Sequence, residues 1–240
     1  MNNTWLDKMD NEQEEFYTSN VKKIIVERQR STKIFIDLLR HKFGNVTNLK
    51  ILDLCCGSGD LTKMLHHCYP ENEFFLMDGS TDMIERARSL LIGECFHFIE
   101  STFTEFVSDH DNLRLYDIIF SSNAIHHLNY SENRDLYSAV YDHLVWGGMF
   151  INIDFVLPET EVTESWQFKM WTDWINENLN RLGLNDELNQ YNDIPEKYKG
   201  KTENRPSRLF DQLILLNQIG FHHVDCFYKY GVNALFGAVK

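Results

Sequence analysis

Five short apolar runs divide the first two thirds of the chain, and each has the length of a β-strand. They occupy residues 49–54, 73–78, 95–99, 116–121 and 148–155. Apolar residues follow one another in these runs instead of alternating with polar ones, which is typical of strands covered on both faces. The pattern predicts a parallel sheet buried between two layers.

Segments with helical spacing fill the intervals between these runs. Residues 59–68, 80–91 and 131–145 repeat their apolar positions every three or four residues. Ser80 and Ser131 open the second and third segments, and serine is a favoured helix N-cap. Strands that alternate with helices predict a doubly wound α/β sheet.

Further elements flank this alternating core. Residues 12–43 predict one or two helices, and residues 159–183 predict another, because their apolar positions recur at helical spacing. The polar stretch 192–207 predicts a loop. After a helix over 208–221, residues 222–240 predict two strands that pair as a hairpin at the edge of the sheet.

Size and charge limit the classes of protein to which the chain can belong. Its 240 residues have a mass of 28.4 kDa and are 43% hydrophobic and 25% charged, as in an ordinary globular domain. The 23 Lys and Arg against 36 Asp and Glu give a formal net charge of −13. Because such a chain repels a phosphate backbone on average, nucleic acid is disfavoured as a partner.

Targeting and cysteine patterns indicate a reduced, cytoplasmic protein. The first 20 residues are polar and acidic, unlike a signal peptide, and no apolar run reaches the roughly 20 residues of a membrane helix. The cysteines are odd in number and lack repeated C-x-x-C spacing, which predicts neither a disulfide framework nor a zinc cluster. They are Cys55, Cys56, Cys68, Cys95 and Cys226.

The stretch ILDLCCGSGD (51–60) places two glycines between the first strand and the first helix of the core. A nucleotide-bearing cofactor, a zinc site and a plain turn are three interpretations of it. Gly57 and Gly59 would let a ligand approach the backbone at a helix N-terminus. Asp78 ends the next strand, 25 residues after Asp53, where an acid can accept hydrogen bonds from ribose hydroxyls. This spacing favours a nucleoside-bearing ligand.

Two residues favour methyl transfer over hydride transfer. A dinucleotide-binding dehydrogenase has a third glycine where this chain has Thr62. An anionic Asp53 would repel a pyrophosphate, whereas it would attract the sulfonium and ammonium groups of S-adenosylmethionine. We therefore expect S-adenosylmethionine as the cofactor.

These motifs resemble those of class I S-adenosylmethionine-dependent methyltransferases. ILDLCCGSG is similar to the first motif of that family, LMDGSTDMIERAR to the second, and YDIIFSSNAIHHL to the fourth. More closely, the chain resembles small methyltransferases related to carboxy-S-adenosylmethionine synthases. The resemblance implies one domain over residues 1–240, with a Rossmann-like seven-stranded sheet, an antiparallel last strand, and a helical lid formed by 12–43 and 159–206.

The resemblance also implies a set of cofactor-binding residues at the carboxyl edge of the sheet. Asp78 would bind the ribose, and Met83 would lie near the adenine. Cys55 replaces a usual glycine, which favours tight packing over a catalytic or redox role. Thr102 and Phe103 stand where an acid and a small residue usually contact the adenine. The full set is Asp53, Cys55, Gly57, Gly59, Asp78, Gly79, Met83, Thr102, Phe103 and Asn123.

The acceptor side is predicted around His126 and His127, which follow the fourth strand. Either could act as general base, or the pair could be a structural feature of the loop. Tyr17, Trp166, Trp171 and Trp174 would line the acceptor lid, although aromatic residues at helical spacing also suit a core. Asp154 and Glu159 are candidates for a second base or a metal ligand, and no metal site is predicted.

The sequence thus predicts methyl transfer from S-adenosylmethionine to a small-molecule acceptor. Two alternatives stay open: an enzyme of the carboxy-S-adenosylmethionine synthase type that serves tRNA modification, and a binding protein without turnover. Neither the methylated atom nor the acceptor follows from the sequence, which allows a homodimer as well as a monomer.

Overall fold

The computed structural model describes residues 23, 25–109, 114–184, 186, 198 and 204–240. Strands and helices alternate along most of this range, as predicted. The strands are β1 (Lys50–Leu54), β2 (Glu73–Asp78), β3 (Phe96–Glu100), β4 (Tyr116–Ser122), β5 (Leu144–Phe155), β6 (His222–Tyr230) and β7 (Asn233–Val239). The helices are α1 (Arg28–Phe43), α2 (Asp60–Cys68), α3 (Thr81–Leu90), α4 (Phe103–Ser108), α5 (Tyr130–His143), α6 (Glu161–Leu182) and α7 (Leu209–Ile219). A 3₁₀ turn (Ile125–His127) follows β4.

All seven strands form one sheet in the order β3-β2-β1-β4-β5-β7-β6. The first five strands are parallel, whereas β7 runs antiparallel to both β5 and β6. The direction of winding reverses between β1 and β4, and ligands of open α/β sheets bind outside the carboxyl ends of strands at such a point. The predicted sheet, its antiparallel last strand and its terminal hairpin are confirmed.

Two apolar layers cover the two faces of the sheet. On one face, Leu52, Ile119 and Phe150 pack against α4, α5 and α7. On the other face, Ile51, Phe74 and Ile151 pack against α1, α2 and α3. Because adjacent residues of one strand enter opposite layers, each central strand carries apolar residues on both faces. The continuous apolar runs in the sequence have this cause.

Helix starts follow local capping chemistry. The Ser80 side chain accepts a hydrogen bond from the Met83 N–H and caps α3, as predicted. The prediction for Ser131 is wrong, because Asn129 caps α5 and accepts from the N–H groups of Ser131 and Glu132. Glu132 completes a capping box with Asn129, which places the cap two residues before the predicted one.

Helix α6 and the segment before α1 meet beyond the carboxyl end of β5. Helix α6 runs from Glu161 to Leu182, which confirms the helix predicted over 159–183. Trp171, Ile175 and Leu179 of α6 form a third apolar cluster with Val26, Phe155 and Val232. Helix α1 begins at Arg28, and residues 12–22 lie outside the described residues. Within the described ranges, no helix combines the length and apolar character needed to cross a membrane.

Candidate functional site

The turn after β1 uses three residues in the left-handed region. Cys55, Gly57 and Gly59 have φ angles of 66°, 54° and 79°. A Cβ at Gly59 would lie 2.9 Å from the Cδ1 of Leu91, so no side chain fits there without displacing Leu91. At Gly57 a Cβ would meet no described atom within 4 Å. The Gly57 backbone therefore borders open space near the N-terminus of α2, where a ligand can approach it.

The Asp78 carboxylate closes this turn from the end of β2. Its Oδ2 accepts from the Gly57 N–H at 2.8 Å, and its Oδ1 accepts from the Ser80 N–H at 3.0 Å. Burial raises the pKa of Asp78, and the backbone N–H groups of Ser80, Gly57 and Gly79 oppose that rise. Each oxygen retains acceptor capacity, so the carboxylate can bind additional hydroxyl groups.

Asp53 is engaged by α2. The Thr62 hydroxyl donates to Asp53 Oδ2 at 2.5 Å, and both side chains are buried. Burial raises the pKa of Asp53 from 3.8 to about 7, although the Thr62 hydrogen bond lowers it. Thr62 thus supplies a partner for Asp53 at the position where a dehydrogenase has a glycine. The sequence analysis took Asp53 as anionic, whereas with this pKa only part of its carboxyl group is ionised at neutral pH.

The two cysteines of the turn lie in an environment that keeps them protonated. Burial raises the pKa of both thiols well above its ordinary value, and the carboxylates of Asp78 and Asp53 act in the same direction. Because the thiolate is the reactive form, such cysteines are poor nucleophiles. This environment agrees with a packing role for Cys55.

The residues predicted beside the adenine lie at the starts of α3 and α4. Met83 is buried in the first turn of α3. The Thr102 hydroxyl accepts from the Glu105 N–H at 3.2 Å and caps α4, while Phe103 is buried in the core. Capping and core packing therefore already engage the side chains of Thr102 and Phe103. Adenine contact by these three residues stays a prediction.

Asn123 lies between β4 and the 3₁₀ turn, with a φ angle of 55°. Its N–H donates to the Ile153 carbonyl at 2.9 Å, and its side-chain amide donates to the Ser122 hydroxyl at 2.9 Å. The Asn123 Oδ1 is buried and has no hydrogen-bond partner in the described part of the chain. This oxygen is an acceptor that a ligand at the carboxyl edge could use.

A buried histidine–aspartate pair joins β4 to β5. His126 Nδ1 lies 2.6 Å from Asp154 Oδ1, and the His126 N–H donates to Asp154 Oδ2 at 2.9 Å. Only 8% of His126 and 1% of Asp154 are exposed. Because a carboxylate only accepts, the imidazole donates its Nδ1 hydrogen and keeps Nε2 as an acceptor. The structure therefore fixes the orientation of the His126 ring and gives it a buried carboxylate partner.

Aromatic rings surround His126 on the side of α6. The ring of Phe155 lies perpendicular to that of His126 at 5.5 Å, and the ring of Tyr198 lies at 5.7 Å. Trp171 extends this group, with ring distances of 4.8 Å to Phe155 and 5.4 Å to Tyr198. The His127 ring lies 4.0 Å from the His126 ring. These contacts form an apolar wall beside the histidine pair.

The predicted lid tryptophans have different environments. Trp171 is buried and joins the aromatic wall, whereas 59% of Trp166 is exposed. The Trp174 indole N–H donates to Glu27 Oε1 at 2.9 Å, and Tyr228 donates its hydroxyl hydrogen to Glu27 Oε2 at 3.2 Å. Trp174 thus ties α6 to the N-terminal segment. Tyr17 lies outside the described residues.

Sequence reasoning did not single out Tyr198 or Glu27. Tyr198 lies in a polar stretch that has no helical or strand periodicity, and Glu27 resembles any surface acid. Asp154 was a candidate for base or metal ligand, and it contacts His126. Glu159 instead accepts from the Phe210 N–H at 3.2 Å. Among the described residues, no three His, Cys, Asp or Glu side chains are placed to hold a metal ion.

Solved structures with this fold are numerous. An O-methyltransferase family protein from Burkholderia thailandensis aligns with a TM-score of 0.65 and 11% identity, over 96% of this chain and 60% of that chain. An O-methyltransferase family 2 protein from Planctomyces limnophilus, in complex with apigenin, aligns with a TM-score of 0.62 and 17% identity, over 98% of this chain and 63% of that chain. Human N-acetylserotonin methyltransferase, in complex with S-adenosylmethionine, aligns with a TM-score of 0.55 and 17% identity, over 94% of this chain and 57% of that chain.

The coverage of these proteins and a separate family match show how far the likeness extends. The chain spans about 60% of the length of these three proteins. Independently of the structures, residues 51–148 match the family described as a methyltransferase domain. That range contains the glycine turn, Asp78 and the histidine pair. Residues 51–148 are thus similar to a methyltransferase domain, and the described chain shares its fold with these solved methyltransferases.

Proposed function

We propose that the protein transfers a methyl group from S-adenosylmethionine to a hydroxyl oxygen of a small molecule. The observation on which this proposal rests is the His126–Asp154 pair. It lies at the carboxyl edge of the sheet, where β4 is the neighbour of β1 and its glycine turn. A hydroxyl is a poor nucleophile until it loses its proton, whereas a thiolate or a neutral amine needs no such help. A buried, oriented histidine therefore favours oxygen as the methylated atom.

The residues at the glycine turn fit the nucleoside part of S-adenosylmethionine. The Asp78 oxygens would accept from the two ribose hydroxyls, while the Gly57 backbone borders the space needed for close approach. The Asn123 Oδ1 would accept a hydrogen bond from the ammonium group. When bound, the sulfonium supplies an electrophilic methyl group. The protein's own task is to align the acceptor and exclude water.

His126 would remove the proton of the acceptor hydroxyl through Nε2. Its Nδ1 hydrogen stays on the imidazole and remains bonded to Asp154, which stabilises the imidazolium that forms. After methyl transfer the proton leaves to solvent or buffer.

The surroundings of His126 favour a small acceptor with an aromatic or other flat apolar part. Phe155, Trp171 and Tyr198 offer ring faces and edges on one side of the histidine. The N-acetylserotonin methyltransferase and the apigenin complex among the similar structures are consistent with such an acceptor. With a net charge of −13, the protein would bind neutral or cationic metabolites more readily than tRNA.

Turnover with labelled cofactor tests the proposal. The full chain is incubated with S-adenosylmethionine labelled in its methyl group and with pools of small phenols, aliphatic alcohols, amines or thiols, and separately with total tRNA. We expect label in a phenol or alcohol pool and an equal amount of S-adenosylhomocysteine. Label only in tRNA, only in amines or thiols, or in no pool would overturn the proposal.

A matched pair of variants links the observed activity to the histidine. His126→Gln should lose at least about 100-fold in rate, because an amide cannot take up a proton at neutral pH. His222→Gln, at the start of β6, serves as the control and should keep the activity. Equal rates for the two variants would show that His126 is not the base.

A further inference from the structure

A column of buried polar side chains lies behind the His126–Asp154 pair. Ser121 of β4 and Asn152 of β5 are opposite one another in the sheet register, and both are fully buried. Tyr137 of α5 and Gln212 of α7 face the same layer, and the Tyr137 hydroxyl donates to Gln212 Oε1 at 2.5 Å. This layer is otherwise an apolar core, so the polar groups need an explanation.

Three polar atoms of this column have no hydrogen-bond partner in the described part of the chain. They are the Ser121 Oγ and both amide atoms of Asn152, Nδ2 and Oδ1. Leaving such groups unpaired in an apolar interior is costly, so native proteins pair them with protein groups or with a buried water. Neither amide atom of Asn152 has a partner at hydrogen-bond distance and angle among the described residues, although its side chain is near the Tyr137 hydroxyl. A buried water would supply the missing partner.

The column reaches Asp154. Asn152 and Asp154 are two residues apart on β5, so their side chains leave the same face of the strand. Burial raises the pKa of Tyr137 well above its ordinary value, the Asp154 charge raises it as well, and hydrogen-bonding interaction with the nearby Asn152 side chain lowers it. Tyr137 is thus near enough for both side chains to change its pKa. Asn152, Tyr137 and Asp154 share one buried polar region.

Among the described residues, one acceptor site of Asp154 is left unfilled. Its Oδ1 accepts from His126 Nδ1 at 2.6 Å and from the Phe155 N–H at 2.8 Å. Its Oδ2 accepts from the His126 N–H at 2.9 Å. A carboxylate offers about four acceptor sites, so one site on Oδ2 is left among the described contacts.

We propose that Ser121 and Asn152, with Tyr137, hold a buried water that donates to Asp154 and thereby position His126. In this arrangement the water accepts from Asn152 Nδ2 and donates one hydrogen to Asp154 Oδ2. Its other hydrogen goes to Asn152 Oδ1 or to an oxygen of Ser121 or Tyr137. No proton is transferred. Asn152 is then a positioning residue, which rests on the proposed role of His126 as base.

This arrangement makes a prediction about the protonation of His126. A donor to the Asp154 carboxylate stabilises the state in which Asp154 is charged and His126 is neutral. Protonation of His126 offsets that charge and weakens the effect of the donor. Loss of the water should therefore raise the pKa of His126. A residue with only a packing role would change stability without this shift.

Other ionisable groups face the pair, and they determine how the test is designed. The Tyr137, Tyr198 and Cys55 pKa values are raised by burial, and the Asp154 charge acts in the same direction, so all three stay neutral from pH 5 to 8. Arg205 donates to the backbone carbonyls of His126 and His127 and keeps its charge throughout. His127 is a second imidazole, and its ring lies 4.0 Å from that of His126. The measurement must therefore resolve His126 from His127.

Nuclear magnetic resonance of the full chain, labelled with ¹⁵N in its histidines, provides that resolution without an acceptor. His126→Gln and His127→Gln assign the two rings, and the pH dependence of the ring nitrogens gives each pKa. We expect Asn152→Leu to raise the pKa of His126 by about one pH unit, in keeping with loss of a hydrogen bond to a charged group. Ser121→Ala should shift it in the same direction by less.

Two further variants separate positioning from packing. Asn152→Ser leaves room for water and a hydroxyl, so it should return the pKa of His126 toward the wild-type value. Asn72→Leu replaces another buried asparagine, which accepts from the Leu49 N–H at the far end of the sheet, and should leave the pKa unchanged. An unshifted pKa in Ser121→Ala, and in Asn152→Leu where that protein folds, would overturn the proposal. This outcome is independent of turnover, so it differs from failure of the proposed function.

Discussion

Asp78 is the residue whose loss should affect the cofactor most directly. Its two oxygens are held by backbone N–H groups on both sides of the glycine turn. Asp78→Ala removes a charged acceptor for the ribose and leaves those donors unpaired, which costs about 1.5 to 3 kcal/mol. We expect calorimetry to show at least about tenfold weaker binding of S-adenosylhomocysteine. Asp37→Ala, on the exposed face of α1, is the control and should bind normally. Unchanged affinity of the Asp78 variant would remove Asp78 from the site.

Asp53 should make the folded protein less stable as the pH rises. Its pKa is raised by burial from 3.8 to about 7, so the native state binds a proton that the unfolded chain releases between these values. The resulting stabilisation is present below about pH 4 and is lost as the pH rises to about 7, by up to about 4 kcal/mol. Asp53→Asn, which cannot ionise, should lack this contribution.

Chemical denaturation at pH 5 and pH 8 measures the effect. The difference in unfolding free energy between Asp53→Asn and wild type should favour the variant more at pH 8 than at pH 5. Because other carboxyl groups are common to both proteins, their titration cancels in the comparison. If the difference in unfolding free energy is the same at pH 5 and pH 8, the raised pKa of Asp53 is contradicted.

His126 and His127 should differ once an acceptor is known. His126→Ala should lose about 100-fold or more in rate and regain part of it at higher pH, where acceptor hydroxyls ionise without a base. His127→Ala should lose less, because the structure gives the oriented contact with Asp154 to His126. Initial rates from pH 6 to 10 test this. Full activity of both variants at neutral pH would mean that the histidines are structural.

At the level of elements, α6 offers a matched pair of tryptophans. Trp171 packs on Phe155 in the third apolar cluster, whereas Trp166, five residues earlier, is mostly exposed. Trp171→Ala should lower the free energy of unfolding by about 3 to 5 kcal/mol because it leaves a cavity. Trp166→Ala should change it by about 0.5 kcal/mol or less. Denaturant unfolding of both variants measures this, and similar losses would show that α6 does not pack as described.

The elements that could be predicted from sequence are those fixed by burial. The central strands carry apolar residues on both faces, so they appear in the sequence as continuous apolar runs. The apolar periodicity of α6 corresponds to its buried side. Local polar chemistry was harder to read. Asn129 and Ser131 are both good caps, and only the capping box with Glu132 selects Asn129. Helix α4 has six residues, too few to show a period.

The candidate site divides in the same way. The positions of Asp78 and the glycines follow from strand ends and spacing, which a sequence displays directly. The partners of His126 and Glu27 do not, because tertiary packing brings each near from a distant segment. Thr62 reaches Asp53 from the next helix, nine residues later. Tyr198 lies 72 residues beyond His126 and reaches its ring only through the fold. The sequence therefore predicted candidate site residues, and the structure shows which of them are in contact.

For the whole molecule, the sheet order separates the two halves of the site. The strands β3, β2 and β1 lie on one side of the point where the winding reverses, and they support Asp78 and the glycine turn. The strands β4 and β5 lie on the other side and support His126 and Asp154. The proposed methyl donor and acceptor would thus be bound by different parts of the chain, which meet between β1 and β4.

This separation has a consequence for how such a protein can diversify. The segment from α6 to α7 enters the chain after β5, so its replacement leaves the order of β1 to β5 intact. Under the proposed function, changes on α6 would therefore alter the acceptor while the residues at the glycine turn stay the same. A library that varies the surface of α6 facing Phe155 and Tyr198 would sample acceptor preference at constant cofactor chemistry.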